Sequence, residues 1–212
     1  IAREAMEAVT PAVVPGVSMS TLVEEVEHQL RVRGSRCPSF PTHIFTAGER
    51  RLDSDEATAL EALREGEVVL FDFGAVVDGY CSDFGRTIAC AEPPAGYEEA
   101  RAAMLEAQEA GRQAAKPGVL AREVNAACRA PIEDAGLGGG FRHRMGHGIG
   151  LDVHERPFLS PEDETPLELG MTFTDEPSIL VDGSFGVRVE DVIEVTATGG
   201  KHELLGNMQL TM

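Results

Sequence analysis

Residues 142–155 read RHRMGHGIGLDVHE, and the rest of the chain is organised around this stretch. Three of the six histidines, His143, His147 and His154, fall within it among three glycines. Glycine lets a backbone bend tightly or approach a bound group closely, and imidazole supplies a metal ligand or a proton carrier near neutral pH. A polar, glycine-rich loop with incidental histidines is the alternative interpretation. Four carboxylates elsewhere in the chain favour a functional site.

The composition is that of an acidic globular protein. Its 212 residues carry a formal net charge of -18, which disfavours a nucleic-acid partner because phosphates would be repelled. A chain of this length holds one large domain or two small ones. No apolar run approaches the roughly 20 residues of a membrane span, so we expect no membrane partner.

The cysteines indicate a reducing compartment. The four of them show neither a Cys-x-x-Cys pair nor a spacing typical of disulfides, and they are Cys37, Cys81, Cys90 and Cys128. We therefore expect free thiols and a cytoplasmic protein. Cys81 is expected to pack as a small apolar group.

Hydrophobic periodicity predicts helices and strands in two successive groups. The predicted helices lie at residues 1–9, from Thr21 onward, at 97–115 and at 121–135, the last interrupted at Pro131. Strands of the first group are predicted at 42–47, 67–73 and 76–90, with a turn signal at Asp78-Gly79. Strands of the second group are predicted at 141–145, 151–155, 171–175, 178–181, 186–195 and 202–206.

The two groups share a repeated pattern. Pro15-Gly16-Val17 precedes one helix, and Pro117-Gly118-Val119 precedes another, 102 residues later. Leu63-x-x-Gly66 leads to Asp72, six residues past the glycine, and Leu167-x-x-Gly170 leads to Glu176 at the same distance. The pattern predicts a duplicated unit with pseudo-twofold symmetry, in which each half delivers an acid to the shared axis.

The four carboxylates lie at positions where an acid with no functional role would destabilise the folded protein. Asp72 interrupts a strand that is apolar on both faces, and an unpaired buried carboxylate costs several kcal/mol or more. Asp83 follows eleven residues later, where an antiparallel neighbour could bring it back beside Asp72. Glu176 ends a strand. Glu190 and Arg188 lie on the same face of a predicted strand. Taken alone, this pattern indicates a salt bridge between them on a solvent-exposed face of the sheet.

With His147, these acids form a set of four carboxylates and one imidazole. Four negative charges balance two divalent cations, whereas one metal ion would leave excess buried charge. In two-metal sites the ions lie about 3.5–4 Å apart and activate a water between them. The oxygen-rich set favours two Mn(II) ions, with Co(II), Zn or Fe(II) as alternatives.

Five segments carry a family resemblance, and they are DFG at 72–74, GYCSD at 79–83, GHGIG at 146–150, FTDEP at 173–177 and VRVED at 187–191. They closely resemble the pita-bread metallopeptidases, and most nearly the prolidase and aminopeptidase P branch, which cleaves the bond before proline. The resemblance covers nearly the whole chain. It implies an α+β pita-bread fold, with two pseudo-symmetric αβ halves around a curved antiparallel sheet, in a single catalytic domain over residues 1–212.

The resemblance also implies which residues hold the metal ions. Asp72 and Asp83 would ligate one ion, and His147 and Glu176 would ligate the other. Asp83 and Glu190 would bridge the two ions, which would share a hydroxide as the nucleophile.

Catalytic roles follow from the same resemblance. Glu176 would accept the proton of the bridging water. His154 would hydrogen-bond the scissile carbonyl or the oxyanion. His143 would face the proline or its carboxylate, and Arg188 would hold Asp83 or Glu190 in orientation.

The chain departs from the family pattern on the substrate side. A histidine is usual 17 residues before the first metal aspartate, where this chain has Asp55, and a tyrosine is usual at the position of Leu180. At the position of Asp175, in a strand, the family normally has a neutral residue. The N-terminal domain usual in this branch is not present in this chain. We therefore expect intact metal binding with an altered substrate rim.

Three functions fit these observations. A dimetal peptidase acting on short peptides at proline is the first, with a homodimer as its expected assembly. A pita-bread hydrolase or lyase of a non-peptide small molecule is the alternative, favoured by the changed rim. A non-enzymatic binding module is the third, and retention of all the ligands argues against it.

Overall fold

The computed structural model describes residues 1–202, and residues 203–212 lie outside the described part. Its helices are α1 (Ala2–Val9), α2 (Met19–Val32), α3 (Tyr97–Ala114) and α4 (Ala121–Asp134). The strands of the first half are β1 (His43–Thr46), β2 (Val68–Phe73), β3 (Val76–Val77), β4 (Tyr80–Cys81) and β5 (Phe84–Ala89). Those of the second half are β6 (Gly146–Gly148), β7 (Glu155–Leu159), β8 (Thr172–Asp175), β9 (Ser178–Val181), β10 (Phe185–Thr196) and β11 (Gly199–His202).

Nine of these strands form one antiparallel sheet, and the helices cover it. The strand order is β1-β2-β5-β10-β8-β6-β7, with β9 and β11 also paired to β10. Strand β10 is twelve residues long and pairs in turn with β9, β5, β8 and β11. It therefore joins the strands of both halves and brings their acids to one place.

The predicted duplication is visible in matching hydrogen bonds. The amide of Gly16 donates to the carbonyl of Leu63, and the amide of Gly118 donates to that of Leu167, both at 2.8 Å. The return bonds, from Leu63 to the carbonyl of Val17 and from Leu167 to that of Val119, also match. Each half thus ties the start of its second helix to the segment before its central strand in the same way.

Each half has its own hydrophobic core beneath its two helices. Helix α2 buries four residues at a spacing of three and four, and they are Met19, Leu22, Val26 and Leu30. Helix α4 does the same with Ala121, Val124, Cys128 and Ile132. Such an apolar stripe packs a helix against a sheet. The first core includes Phe71 and Phe73 of β2, and the second includes Phe173 of β8, so the acid-bearing strands are fixed by packing.

The structure corrects two helix predictions. Helix α2 begins before Thr21, because Ser18 is its N-cap and its hydroxyl accepts from the amide of Thr21 at 3.2 Å. Helix α4 continues through Pro131 to Asp134. Because the proline lies in the last turn, its missing amide removes one hydrogen bond near the helix end, and burial of Ile132 keeps the turn in place.

The strands around the histidine segment were also misplaced. Residues 141–145 and 151–155 were expected as strands, whereas the strands are Gly146–Gly148 and Glu155–Leu159. The first contains two glycines and the second contains Pro157, and both residue types disfavour a strand in sequence. Strand β7 tolerates its proline because it lies at the sheet edge. The predicted strand 202–206 lies mostly outside the described residues.

The predicted strand over residues 76–90 is divided. Strands β3 and β4 form a hairpin whose two turn residues, Asp78 and Gly79, both have positive φ, as a two-residue hairpin turn requires. Strand β5 follows and pairs with β2, which sets Asp72 opposite Gly85. Asp83 therefore returns toward Asp72, as the spacing indicated.

Within residues 1–202, the structure has no helix of the length and apolar character that a membrane crossing demands.

A substitution at Gly146 tests how closely strands β6 and β8 approach each other. A side chain at Gly146 would overlap the carbonyl oxygen of Thr174, so we expect Gly146→Ala to lower the free energy of unfolding by about 1–3 kcal/mol. Gly139→Ala is the matched control, because no atom lies within 4 Å of a side chain added there. Urea denaturation measures both, and equal stability of the two variants would contradict this packing.

Candidate metal centre

All eight residues proposed for the site line one cavity of about 370 Å³. The acids are Asp72, Asp83, Glu176 and Glu190, and the other four are His143, His147, His154 and Arg188. They come from β2, the segment before β5, the region around β6, the end of β8, and β10. Residues up to 118 positions apart in sequence (72 to 190) therefore meet in one cleft.

Three of the predicted ligands form a compact group. Asp83, His147 and Glu190 are buried, and each offers a ligand atom within 4.8 Å of the others. The Nε2 atom of His147 lies 3.6 Å from Oδ2 of Asp83 and 3.2 Å from Oε1 of Glu176. Oxygen and nitrogen donors this close surround a space suited to cations.

The orientation of His147 leaves one ring nitrogen for the cleft. Its Nδ1 atom lies 3.1 Å from the carbonyl oxygen of Gly148, an acceptor, so Nδ1 carries the proton in the neutral ring. In this neutral ring the Nε2 lone pair faces Asp83 and Glu176, whereas in the metal-free protein a second proton on Nε2 lets the ring donate to Glu176. A backbone carbonyl that fixes the tautomer in this way is typical of histidine ligands to metals.

Two buried carboxylate oxygens in the cleft have no hydrogen-bond partner among the described residues, and these are Oδ1 of Asp83 and Oε2 of Glu190. An unsatisfied buried anion is strongly unfavourable. These two residues are the ones the resemblance assigns as bridges, so the unpaired atoms fit divalent cations. Arg188 lies 3.7 Å from Oε2 of Glu190, but one guanidinium cannot offset four carboxylates, and cations would supply the remaining positive charge.

The pKa values show the same imbalance in the protein without metal. Burial, together with the charges of Asp72 and Glu176, raises the pKa of Asp83 to about 7. Burial and the charge of Asp83 raise the pKa of Glu190 well above its ordinary value. Burial also raises the pKa of Asp72, against the opposing charge of Arg188. Three acids thus resist ionisation unless positive charge is added.

Glu176 differs from the other acids. Burial acts to raise its pKa, but the hydrogen bond with His147 and the charge of Arg188 lower it overall. For His147, burial lowers the pKa, whereas the bond and charge of Glu176 raise it overall. Glu176 therefore stays ionised at neutral pH and can accept a proton.

Arg188 contacts one of its two predicted partners and two further residues. Its Nη1 lies at an ion-pair distance of 3.7 Å from Oε2 of Glu190, as the resemblance implied. The same Nη1 donates to Oδ2 of Asp72 at 2.7 Å, and its Nε donates to Ser178 at 2.7 Å. The register of β9 and β10 sets Arg188 opposite Ser178, which directs the guanidinium toward β2.

His143 and His154 lie at the cleft as neutral groups. Burial, followed by the charge of Arg188, lowers the pKa of His143, and burial with the charge of His147 lowers that of His154. The rings of His147 and His154 are 4.1 Å apart, centre to centre. A neutral imidazole here can donate a hydrogen bond to a substrate oxygen.

Four further residues line the cavity, although no motif in the sequence points to them: Phe40, His43, Arg144 and Val153. His43 lies opposite Asp72 in the register of β1 and β2, and its Nε2 is 3.0 Å from Oδ1 of the buried Asp53. The strand predicted over residues 42–47 was the signal in the sequence that could have assigned His43 to the site. Pairing of that strand, β1, with β2 places His43 opposite Asp72.

The substrate-side departures have limited effect on the cleft. Asp55 is exposed, 4.0 Å from Nε2 of His43, and neither Asp55 nor Leu180 is among the cavity-lining residues. Asp175 is fully buried, and burial and the charge of Asp191 raise its pKa well above the ordinary value. The raised pKa favours the neutral form of this strand residue.

The sequence matches metallopeptidase family M24 over residues 1–197. This chain belongs to that family. It is 40% identical over 187 residues to an Xaa-Pro dipeptidase of Lactobacillus delbrueckii subsp. lactis, covering 88% of this chain and 50% of that protein. The resemblance to the prolidase and aminopeptidase P branch is confirmed.

Solved structures confirm the pita-bread fold. An Xaa-Pro dipeptidase from Bacillus anthracis superposes with a TM-score of 0.86 at 39% identity, covering 95% of this chain and 56% of that one. An X-Pro aminopeptidase from Thermotoga maritima gives a TM-score of 0.86 at 30% identity, covering 95% and 57%. This chain spans about half the length of the relatives it matches.

In the metal-free protein, the raised pKa of Asp83 predicts that the free energy of unfolding falls as pH rises. Its folded-state pKa of about 7 lies above the ordinary 3.8, so the native state binds this proton more tightly than the unfolded state does. The contribution is present below about pH 4 and is lost as pH rises through 7, at up to about 1.4 kcal/mol per pH unit. Urea denaturation in EDTA from pH 5 to 8 measures it.

Asp83→Asn is the control, since it removes this titration while keeping the side-chain shape. We expect a smaller pH dependence in the variant between pH 5 and 7. We also expect Mn²⁺ to stabilise the wild-type protein more at pH 7 than at pH 5. Identical pH profiles for the two proteins would contradict the raised pKa of Asp83.

Proposed function

We propose that this protein hydrolyses the peptide bond before proline in short peptides, using two divalent metal ions. The observation that carries the proposal is that all eight predicted site residues line one cavity, with two buried carboxylate oxygens that have no hydrogen-bond partner among the described residues. Relatives named Xaa-Pro dipeptidases, at 35–40% identity, support the choice of substrate. Because the chain spans only part of those proteins, its activity stands as a proposal.

The donor set fits two divalent ions. Asp72 and Asp83 would hold one ion, His147 and Glu176 would hold the other, and Asp83 and Glu190 would contact both. When bound, the ions would supply Lewis-acid activation of a water and of the scissile carbonyl. Mn(II) is our choice of metal, because four carboxylates and one imidazole form an oxygen-rich set.

The surrounding side chains would carry the proton transfers. Glu176 is ionised beside His147, so it would accept the proton of the attacking water and pass it to the leaving proline nitrogen. His154, neutral at the cleft wall, would donate a hydrogen bond to the carbonyl oxygen as it becomes negative. His143 would contact the proline side of the substrate. Arg188 would keep Asp72 in position through their 2.7 Å bond.

A hydrolase or lyase of a non-peptide small molecule is less supported. It was favoured by the departures at Asp55 and Leu180, but neither residue is among those that line the cavity. His43 supplies an imidazole to the wall near Asp72. Several relatives are named as Xaa-Pro dipeptidases, and others as dipeptidases.

A homodimer and a cytoplasmic location stay predictions. All four cysteines are free, in agreement with the expected absence of disulfides.

Metal-dependent turnover of a proline dipeptide tests the proposal. The metal-free protein would be titrated with MnCl2 while the release of proline from Ala-Pro and the cleavage of Ala-Pro-Ala are measured side by side. We expect activity on at least one peptide to rise with Mn²⁺ and saturate. Ala-Ala serves as the control substrate and should be cleaved far more slowly. Activity on neither proline peptide would overturn the proposal.

A substitution at His154 tests whether this side chain donates a hydrogen bond to the carbonyl oxygen as it becomes negative. We expect His154→Ala to lower kcat by about 100-fold, because a donor to the developing charge is lost, with little change in the amount of Mn²⁺ bound. His28→Ala is the control, since His28 is exposed on α2. Steady-state kinetics and metal analysis measure both variants. Wild-type kcat in His154→Ala would contradict the assigned role.

A further inference from the structure

The pairing of β10 with β8 and β9 is interrupted beside the glutamates of the cleft. Strand β8 pairs with β10 as far as Asp175, which lies opposite Asp191. Strand β9 resumes the same register at Ser178, which lies opposite Arg188. Between these two pairs, each side has two residues that do not pair with each other. The interruption is therefore a gap of two residues in an otherwise continuous ladder.

A proline in this gap cannot supply the hydrogen bond that the sheet would form there. Glu176 and Pro177 lie on one side of the gap, and Val189 and Glu190 lie on the other. Counting along the register sets Pro177 opposite Val189. Proline has no amide N–H, so it cannot donate to the carbonyl of Val189. Because a buried carbonyl without a donor is unfavourable, the gap needs a donor from another part of the chain.

Helix α3 supplies that donor through Gln108. The Nε2 atom of Gln108 donates to the carbonyl oxygen of Val189 at 3.3 Å and to that of Asp175 at 3.1 Å. It also donates to Oδ2 of Asp191 at 3.3 Å. Gln108 is buried, and all three neighbours are acceptors, so the amide nitrogen is the end of the side chain that faces them. One side chain thus bridges β8 and β10 where their ladder stops.

Arg86 of β5 holds β10 from the other side. Its guanidinium donates to the carbonyl oxygens of Gly85 and Glu190 at 2.8 and 2.7 Å, and to Oδ1 of Asp191 at 2.8 Å. Asp191 therefore accepts from Arg86 with one oxygen and from Gln108 with the other. These three side chains form one connected network that fixes the backbone of β10 at Glu190.

The contacts of Gln108 act on the peptide groups that carry both glutamates. The carbonyl of Asp175 belongs to the peptide bond that leads into Glu176, and the carbonyl of Val189 belongs to the one that leads into Glu190. Glu176 and Glu190 line the cavity, whereas Gln108 does not. Loss of the Gln108 amide would therefore free the backbone on which both acids are mounted without removing any group from the cleft.

We propose that Gln108 is a positioning residue that sets the separation of Glu176 and Glu190, and thereby the fit of the cleft to a second metal ion. The inference rests on the proposed function, in which Glu176 holds one ion and Glu190 contacts both. Gln108 acts through the backbone and touches neither carboxylate of the pair. Residues that orient metal ligands typically change metal affinity by about 10- to 100-fold when they are substituted.

Calorimetric titration of the metal-free protein with MnCl2 tests this role. The wild-type protein should bind two ions. Gln108→Met keeps a side chain of similar size but loses the donor, so we expect the ion assigned to His147 and Glu176 to bind about 10- to 100-fold more weakly. Electron paramagnetic resonance gives a second readout. With two equivalents of Mn²⁺, the wild-type protein should show the spectrum of a coupled pair, and the variant should show mainly uncoupled Mn²⁺.

Two control variants separate positioning from general loss of stability. Gln113→Met makes the same substitution on the same helix, at an exposed amide that donates to Glu109, and should leave both readouts unchanged. Val124→Ala removes buried methyl groups from α4. It should lower the urea midpoint while Mn²⁺ affinity and the coupled spectrum stay as in the wild-type protein.

A rescue variant tests the physical cause. Pro177→Ala adds the backbone amide that is missing opposite Val189. Combined with Gln108→Met, it should recover Mn²⁺ affinity by at least about threefold, as expected for two changes that act on one hydrogen bond. No recovery in the double variant would overturn the inference that Gln108 replaces this amide.

The outcomes separate the two proposals. Wild-type Mn²⁺ affinity and a coupled spectrum in Gln108→Met would overturn the role of Gln108 and leave the proposed function standing. Weakened binding in the variant, with no cleavage of proline peptides by the wild-type protein, would overturn the proposed function and support the role of Gln108. If Gln108→Met fails to fold, Gln108→Asn gives the same comparison, because it keeps an amide that is too short to reach both carbonyls.

Discussion

The repulsion among four carboxylates in one cleft is the constraint on which the rest of the structure depends. Asp83 and Glu190 are almost fully buried, and each has an oxygen without a hydrogen-bond partner among residues 1–202. The guanidinium of Arg188 pairs with Asp72 and Glu190. Left alone, such a cluster takes up protons, as the raised pKa values of Asp83 and Glu190 show. The family to which the chain belongs implies divalent metal ions. The fold must therefore hold the acids close together until cations offset their charge.

The sheet and the two cores supply that rigidity. Strand β10 pairs with β5 of the first half and β8 of the second, so Glu190 is aligned with acids from both. At Gly85, the residue opposite Glu190, a side chain would collide with that glutamate. Matching hydrogen bonds at Gly16 and Gly118 anchor equivalent helices in the two halves. Duplication thus explains how residues far apart in sequence reach one site: each half repeats the same path and ends at the shared strand.

Much of this arrangement could be predicted from residues whose placement is unusual. Asp72 in an apolar strand and the repeated Leu-x-x-Gly pattern indicated both the buried acids and the two halves. The strands of residues 146–159 were misplaced because Gly146, Gly148 and Pro157 disfavour a strand locally, whereas pairing at the sheet edge determines the structure. His43 and Arg144 were not assigned to the site for a related reason. Nothing in their local sequence distinguishes them. The pairing of His43 with Asp72 places the first in the cavity, and the second lies there with its guanidinium over the ring of Phe158.

An anomalous difference map from crystals grown with Mn²⁺ would show whether the four acids and His147 hold two cations. We expect two peaks in the cleft, both in contact with Asp83 and Glu190, one of them also bound by Asp72 and the other by His147 and Glu176. A single peak, or strong peaks elsewhere with none between Asp83 and Glu190, would contradict it.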